Sequence, residues 1–189
     1  MKVPSYNKEN RKTNNSYETL PKGNYVCKIM KAEEHTSKEG KISIKLSFDI
    51  AEGEYKDFYA KKYQEDTRED KKWNRDAEYY ISIPTDESSD FIKTKYDTFF
   101  ANLEDSNNGY VFQGNLDELK GKIFGAIMFI EQNEYNGRIY DHTKIFDSRI
   151  AQDVRDGKIR FVPKDKMVGG SPSDEFVAVA PGSPEDLPF

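Results

Sequence analysis

Arg138, Tyr140, His142 and Lys144 fall at every second position, so an extended strand carrying them would place two cations, a phenol and an imidazole on one face. Tyr59, Lys61 and Tyr63 repeat that spacing, and Lys45 points outward from an alternating run just before them. The chemistry such rows can do is non-covalent. Cations neutralise phosphates, and aromatic faces stack nucleobases with little sequence preference, at about 1–3 kcal/mol per base. Trp73 stands among Lys71, Lys72 and Arg75, where an indole can serve as a base platform or as a buried anchor. The plainer reading is that Tyr, Thr and Lys are ordinary on strands, and outward aromatics also pack on helices. Asp57, Glu65, Asp66, Asp70 and Asp76 dilute the positive charge around Trp73.

A second constellation ends the sequence: Pro184-Glu185-Asp186-Leu187-Pro188-Phe189. An apolar, anionic tip on a polar linker suits capture by a pocket that takes the Phe ring and sets a cation against its carboxylate. Pro188 limits the conformations lost on docking. The tip is therefore expected to dock a partner.

These groups need elements to position them. Residues 1–19 are rich in Asn, Lys and Ser and read as a flexible arm. Tyr25, Cys27 and Ile29 share one face of a first strand over 24–34, and Ile42, Ile44, Leu46, Phe48 and Ile50 alternate with polar residues in a second over 41–50. A third strand is expected at 55–63 and a fourth at 78–84. Ile92, Tyr96, Phe99 and Leu103 recur at helical spacing, with Thr85 or Ser88 as the cap. Two further strands, 122–131 and 138–147, flank Asn136-Gly137, a hairpin signal; Ile139, Thr143 and Ile145 face the core of the second. A short helix over 149–155 ends at Gly157.

This order of strands around one main helix fits a mainly β, OB-fold-like Greek-key barrel. An α+β sandwich gives a similar string, and periodicity does not separate the two. The expected division is an arm over 1–19, a folded domain over 20–165 and a flexible acidic tail over 166–189. The composition agrees: 35% hydrophobic, 33% charged and 13% aromatic residues describe a modest core with polar extensions. Of the net charge of −5, four units reside after Ser171, where Asp174, Glu175, Glu185 and Asp186 meet no Lys or Arg, leaving about −1 for the rest. A near-neutral body can still carry a local basic stripe.

Covalent chemistry is not expected. His35 and His142 are the only histidines and Cys27 the only cysteine, without metal-ligand spacing, and no Gly-rich phosphate loop occurs. The reading is of a protein with no catalytic residues, metal or cofactor. Cys27 reads as a small buried hydrophobe. No apolar run approaches a membrane span, and no signal peptide is apparent, so the cytoplasm is the expected location.

The acid-acid-Leu-Pro-Phe tip resembles the C-terminus of bacterial and phage single-stranded DNA-binding proteins. Other stretches are similar to such proteins from phages and prophages of Gram-positive hosts: Leu20-Pro21-Lys22-Gly23-Asn24-Tyr25, Phe48 through Tyr55, and Asp153-Val154-Arg155-Asp156-Gly157 leading to Val162-Pro163-Lys164. The resemblance implies an OB fold that coats single-stranded DNA during phage replication or recombination, and a tip that recruits replication and recombination proteins. One OB domain binds single strands weakly, so a homo-oligomer is expected. The chain departs from the pattern in having only two consecutive acids at the tip and an apolar Phe176-Val177-Ala178-Val179-Ala180 segment in the tail. The expected nucleic-acid contacts are Lys45, Tyr59, Lys61, Tyr63, Trp73, Arg138, Tyr140, His142 and Lys144. The alternatives are an accessory factor acting through protein contacts (in recombination, or as a host-defence inhibitor) and a metal-dependent nuclease built from acidic clusters.

Overall fold

The computed structural model describes residues 18–169. The expectations for the arm before Glu18 and for the tip Glu185–Phe189 lie outside them.

Strand β1 (Gly23–Thr36) organises the rest. It is long enough to serve two partners: residues from Cys27 to Thr36 pair with β2 (Ile42–Ile50), and residues from Gly23 to Lys28 pair with β4 (Ile123–Tyr135). A bulge between Ile29 and Lys31, inside the β2 ladder and just past the last β4 pair at Lys28, bends the strand there. With β3 (Glu78–Ser82) and β5 (Arg138–Arg149), the described residues form one five-stranded antiparallel sheet in the order β3-β2-β1-β4-β5. Helix α2 (Asp90–Ser106) lies between β3 and β4 in sequence. This is the connectivity of an OB-like Greek-key barrel.

The period-two pattern of β2 holds: Ile44, Leu46, Phe48 and Ile50 are buried, while Ile42 emerges at the strand's start. Cys27 is fully buried beside them, and burial pushes its thiol pKa well up. Phe99, Phe100 and Leu103 turn the buried face of α2 onto this core, with Phe99 edge-on to Phe124 at 5.6 Å. Asn136 (φ 51°) and Gly137 (φ 71°) make the tight turn that their sequence signals.

Two expectations are corrected. The stretch expected as a third strand, 55–63, contains helix α1 (Phe58–Glu65) instead, leaving five strands rather than six. The cause is Asp49, an alternating "outward" residue of β2 that is 1% exposed. Its Oδ1 accepts from the backbone N–H of Ile50 (2.8 Å) and Tyr59 (2.9 Å), and its Oδ2 from Ala60 (2.9 Å). A buried carboxylate thus satisfies two amides of the first helical turn, Tyr59 and Ala60, which have no partners within the helix. The second correction is Ile139, which is 55% exposed. Thr143 is buried, donating its hydroxyl to the Leu20 carbonyl, and Ile145 packs on the core; Ile139 lies farther along a hairpin that projects beyond the barrel, where every residue from Asn133 to Asp141 is exposed.

Helix α3 (Ala151–Arg155) packs on β4 at Gly125, where an added Cβ would meet Val154 Cγ2 at 2.7 Å. No helix among the described residues is long and apolar enough to cross a membrane.

Candidate nucleic-acid interface

The two edges of the sheet approach each other through side chains. Just ahead of β3, the one-turn 3-10 segment Arg75–Ala77 presents the buried carboxylate of Asp76 to β5. His142 Nδ1 lies 2.9 Å and Lys144 Nζ 3.1 Å from Asp76 Oδ1, and Lys144 also donates to the Arg75 carbonyl at 2.9 Å. Over this seam opens a shallow groove of about 580 Å³ lined by Lys45, Lys72, Trp73, Arg75, Glu78, Tyr80 and Lys144.

Each lining residue arrives for a local reason. Lys45 and Tyr80 are cross-strand partners on the outward faces of β2 and β3. Glu78 bridges them, 2.8 Å from Lys45 Nζ and accepting from the Tyr80 hydroxyl at 3.0 Å. That hydrogen bond holds the Lys45 ammonium above its ordinary pKa, so the cation persists across the physiological range. Burial, and then the bond to Glu78, raises the Tyr80 phenol. His35 sits edge-on to the Tyr80 ring at 5.2 Å. Trp73 is half-buried: its Nε1–H donates to the Phe48 carbonyl (3.2 Å), its ring packs on the core and lies 5.8 Å from Tyr63, and its remaining surface walls the groove. It is anchored in the core, as one reading of its sequence context expects, and its remaining surface is open to the groove. Lys72 and Arg75 are exposed and make no ion pair with any described carboxylate. Four cations therefore face one lining carboxylate, with a second, Asp76, buried beneath.

Beyond Lys144 the same face of β5 carries His142, Tyr140 and Arg138 along the projecting hairpin, as their spacing predicts. Tyr135 pairs with Arg138 and shares this face at 69% exposure. A track with cations at Lys144 and Arg138, the rings of Tyr140 and Tyr135, and one carboxylate, Glu131 opposite His142, thus runs from the groove to the hairpin tip. It can neutralise a chain of phosphates and stack bases.

Residues 6–82 match a family model described as "Protein of unknown function (DUF669)". The matched segment spans β1, β2, α1 and β3, and so includes every lining residue of the groove except Lys144. No curated protein matches the chain.

Of the residues singled out from sequence, Lys45, Trp73 and Lys144 converge in the groove, and Arg138, Tyr140 and His142 continue from it. Tyr59 does not: it is 2% exposed, packed against Phe48 and Phe58 inside the barrel, and burial raises its phenol pKa far above the ordinary value. Helical geometry also breaks the expected row, since Lys61 donates to the Lys56 carbonyl at the surface while Tyr63 turns to Trp73 under the ammonium of Lys71. Sequence reading missed Tyr80 and Tyr135. Tyr80 had a signal, as the polar-facing member of Tyr79-Tyr80-Ile81, and Tyr135 had one in its position across the Asn-Gly turn from Arg138. Among the described residues, no cluster of His, Cys, Asp and Glu is placed to hold a metal ion.

Proposed function

We propose that this protein binds single-stranded DNA along the groove and the β4–β5 hairpin, with little sequence preference. The observation that carries the reading is one open groove holding Lys45, Lys72, Arg75 and Lys144 around the exposed ring of Tyr80 and the half-buried indole of Trp73. It lies on the outer face of β2 and β3, the face that OB barrels turn to oligonucleotides. Phosphates would follow the cations and bases would lie on Tyr80, Trp73 and Tyr140. No base-reading constellation is required for such contacts. Within this reading the protein coats single strands in phage DNA replication or recombination in the host cytoplasm, as a homo-oligomer, and Glu185–Phe189 recruits partner proteins.

The test uses Trp73, the only tryptophan of the chain. Oligo-dT added at low salt should quench its fluorescence, and added salt should reverse the quenching. Absence of binding by both fluorescence and anisotropy at low salt would reject the reading.

A further inference from the structure

We propose that a second depression, between β3 and the first turns of α2, is a stacking subsite for one base of a single strand leaving the groove. This rests on the groove reading above. Tyr80 lines both depressions, so a strand crossing its ring passes directly from one to the other. The cleft measures about 190 Å³, equivalent to about six waters at the ~30 Å³ each occupies in the liquid, which suits one ring system rather than a helix or a loop.

Phe91 forms its outer wall. It is 65% exposed in the first turn of α2, whereas Ile92 and Tyr96, which also line the cleft, are half-buried. Packing does not account for a ring left this open, while Phe91 and Tyr80 line the same small cleft and so offer it two aromatic residues for a base. The slot also has polar groups for a base edge. β3 ends the sheet, and the Ile83 N–H donates to the Ile42 carbonyl, so by strand alternation Tyr80 and Ser82 turn their N–H and C=O groups away from β2. Aromatic faces together with unpaired donors and acceptors are what a nucleobase requires.

Charge assigns the subsite its role. Lys95 lies over Phe91 at 5.8 Å and donates to Asp147 at 3.0 Å, and Arg149 donates to the same carboxylate, so two cations share one anion. Asp86, Glu87 and Asp90, in the loop and first turn around Phe91, outnumber the one cation there, Lys93, which donates to the Asp86 carbonyl at 3.2 Å. The cleft therefore adds stacking with little phosphate neutralisation.

The experiment measures anisotropy of the full chain with a length series of labelled oligo-dT, for the wild type, Phe91→Ala, Phe91→Tyr and the Lys72→Ala/Arg75→Ala pair. Phe91→Ala should weaken binding about 5- to 150-fold, but only for strands long enough to reach the cleft, and leave the salt slope unchanged. Phe91→Tyr should bind like the wild type. In 2-aminopurine oligonucleotides, the probe at one position should be quenched by the wild type and not by Phe91→Ala. If Phe91→Ala matches the wild type at every length while Lys72→Ala/Arg75→Ala loses affinity, the subsite is refuted and the groove stands. A fall in solution mass for Phe91→Ala with DNA affinity intact would reassign the cleft to contact between copies of the chain, and overturn the proposal. A wild type that binds no oligo-dT would remove the groove reading and the subsite with it.

Discussion

Replacing Lys72 and Arg75 together by alanine isolates the electrostatic part of the proposed interface. Both are exposed and neither is paired with a described carboxylate, whereas Lys45 and Lys144 are held by Glu78 and Asp76. Each phosphate neutralised on a single strand contributes about −0.7 to the slope of log K against log salt. If the four groove cations and Arg138 of the hairpin all release counterions the wild-type slope is about −3.5, and if only the three unpaired ones do it is about −2.1. Either way the double variant should lose about 1.4 from the slope. Between 50 and 200 mM salt the wild type should then weaken about 130-fold in the first case or about 18-fold in the second. The variant should weaken about 18-fold in the first case and about 3-fold in the second. Anisotropy of labelled oligo-dT over a KCl series measures this, with a thermal melt as the control, since exposed substitutions change stability by less than about 0.5 kcal/mol. An unchanged slope in the variant would refute the assignment of these cations to phosphates.

Gly125→Ala should destabilise the fold by about 1–3 kcal/mol in urea denaturation, because its Cβ would also approach the carbonyl oxygens of Arg149 and Ile150 at 2.9 Å in a packed site. Asp147 carries a pH signature. Burial works to raise its pKa, but hydrogen bonds from Arg149 and Lys95 prevail and lower it. Its contribution is present above the unfolded carboxyl value of about 3.9 and is lost as pH falls through the lower folded value. Asp147→Asn should therefore lower the thermal midpoint at neutral pH, and the gap to wild type should close in that acid window. Deleting Leu187-Pro188-Phe189 should leave oligo-dT affinity intact or slightly tighter while abolishing capture of replication and recombination proteins; a loss of DNA affinity would place the tip within the binding surface instead.

The fold was most legible where local pattern and tertiary environment agree. The alternation of β2, the Asn136-Gly137 turn, the inward face of α2 and the burial of Cys27 all follow from spacing and residue type. Helix α1 did not, because Tyr59, Lys61 and Tyr63 alternate as a strand would. What decides the matter is Asp49, about ten residues earlier, whose buried carboxylate accepts the amides of Tyr59 and Ala60. The exposure of Ile139 was likewise invisible, since periodicity fixes the face of a residue and not how far a hairpin projects beyond the barrel. In the candidate interface, Lys45, Trp73 and Lys144 could be named from sequence because each lies in a recognisable context. Their convergence depends on Asp76, which looked like dilution of the charge around Trp73 and in fact joins β5 to the segment ahead of β3.

The shared strand β1 also bears on how the chain reaches this structure. β1–β2 and β4–β5 are hairpins with short connections, and such units form in about 1–10 μs. The ladder that joins them pairs Gly23 with Met128, across most of the folded sequence, and carries a far larger loop-closure cost. The topology therefore predicts two fast local pairings and a slower joining of the two hairpins along the N-terminal half of β1. Gly125 pairs with Val26 inside that docking ladder. A side chain there would burden the slow step as well as the finished fold, and would show as a lowered refolding rate.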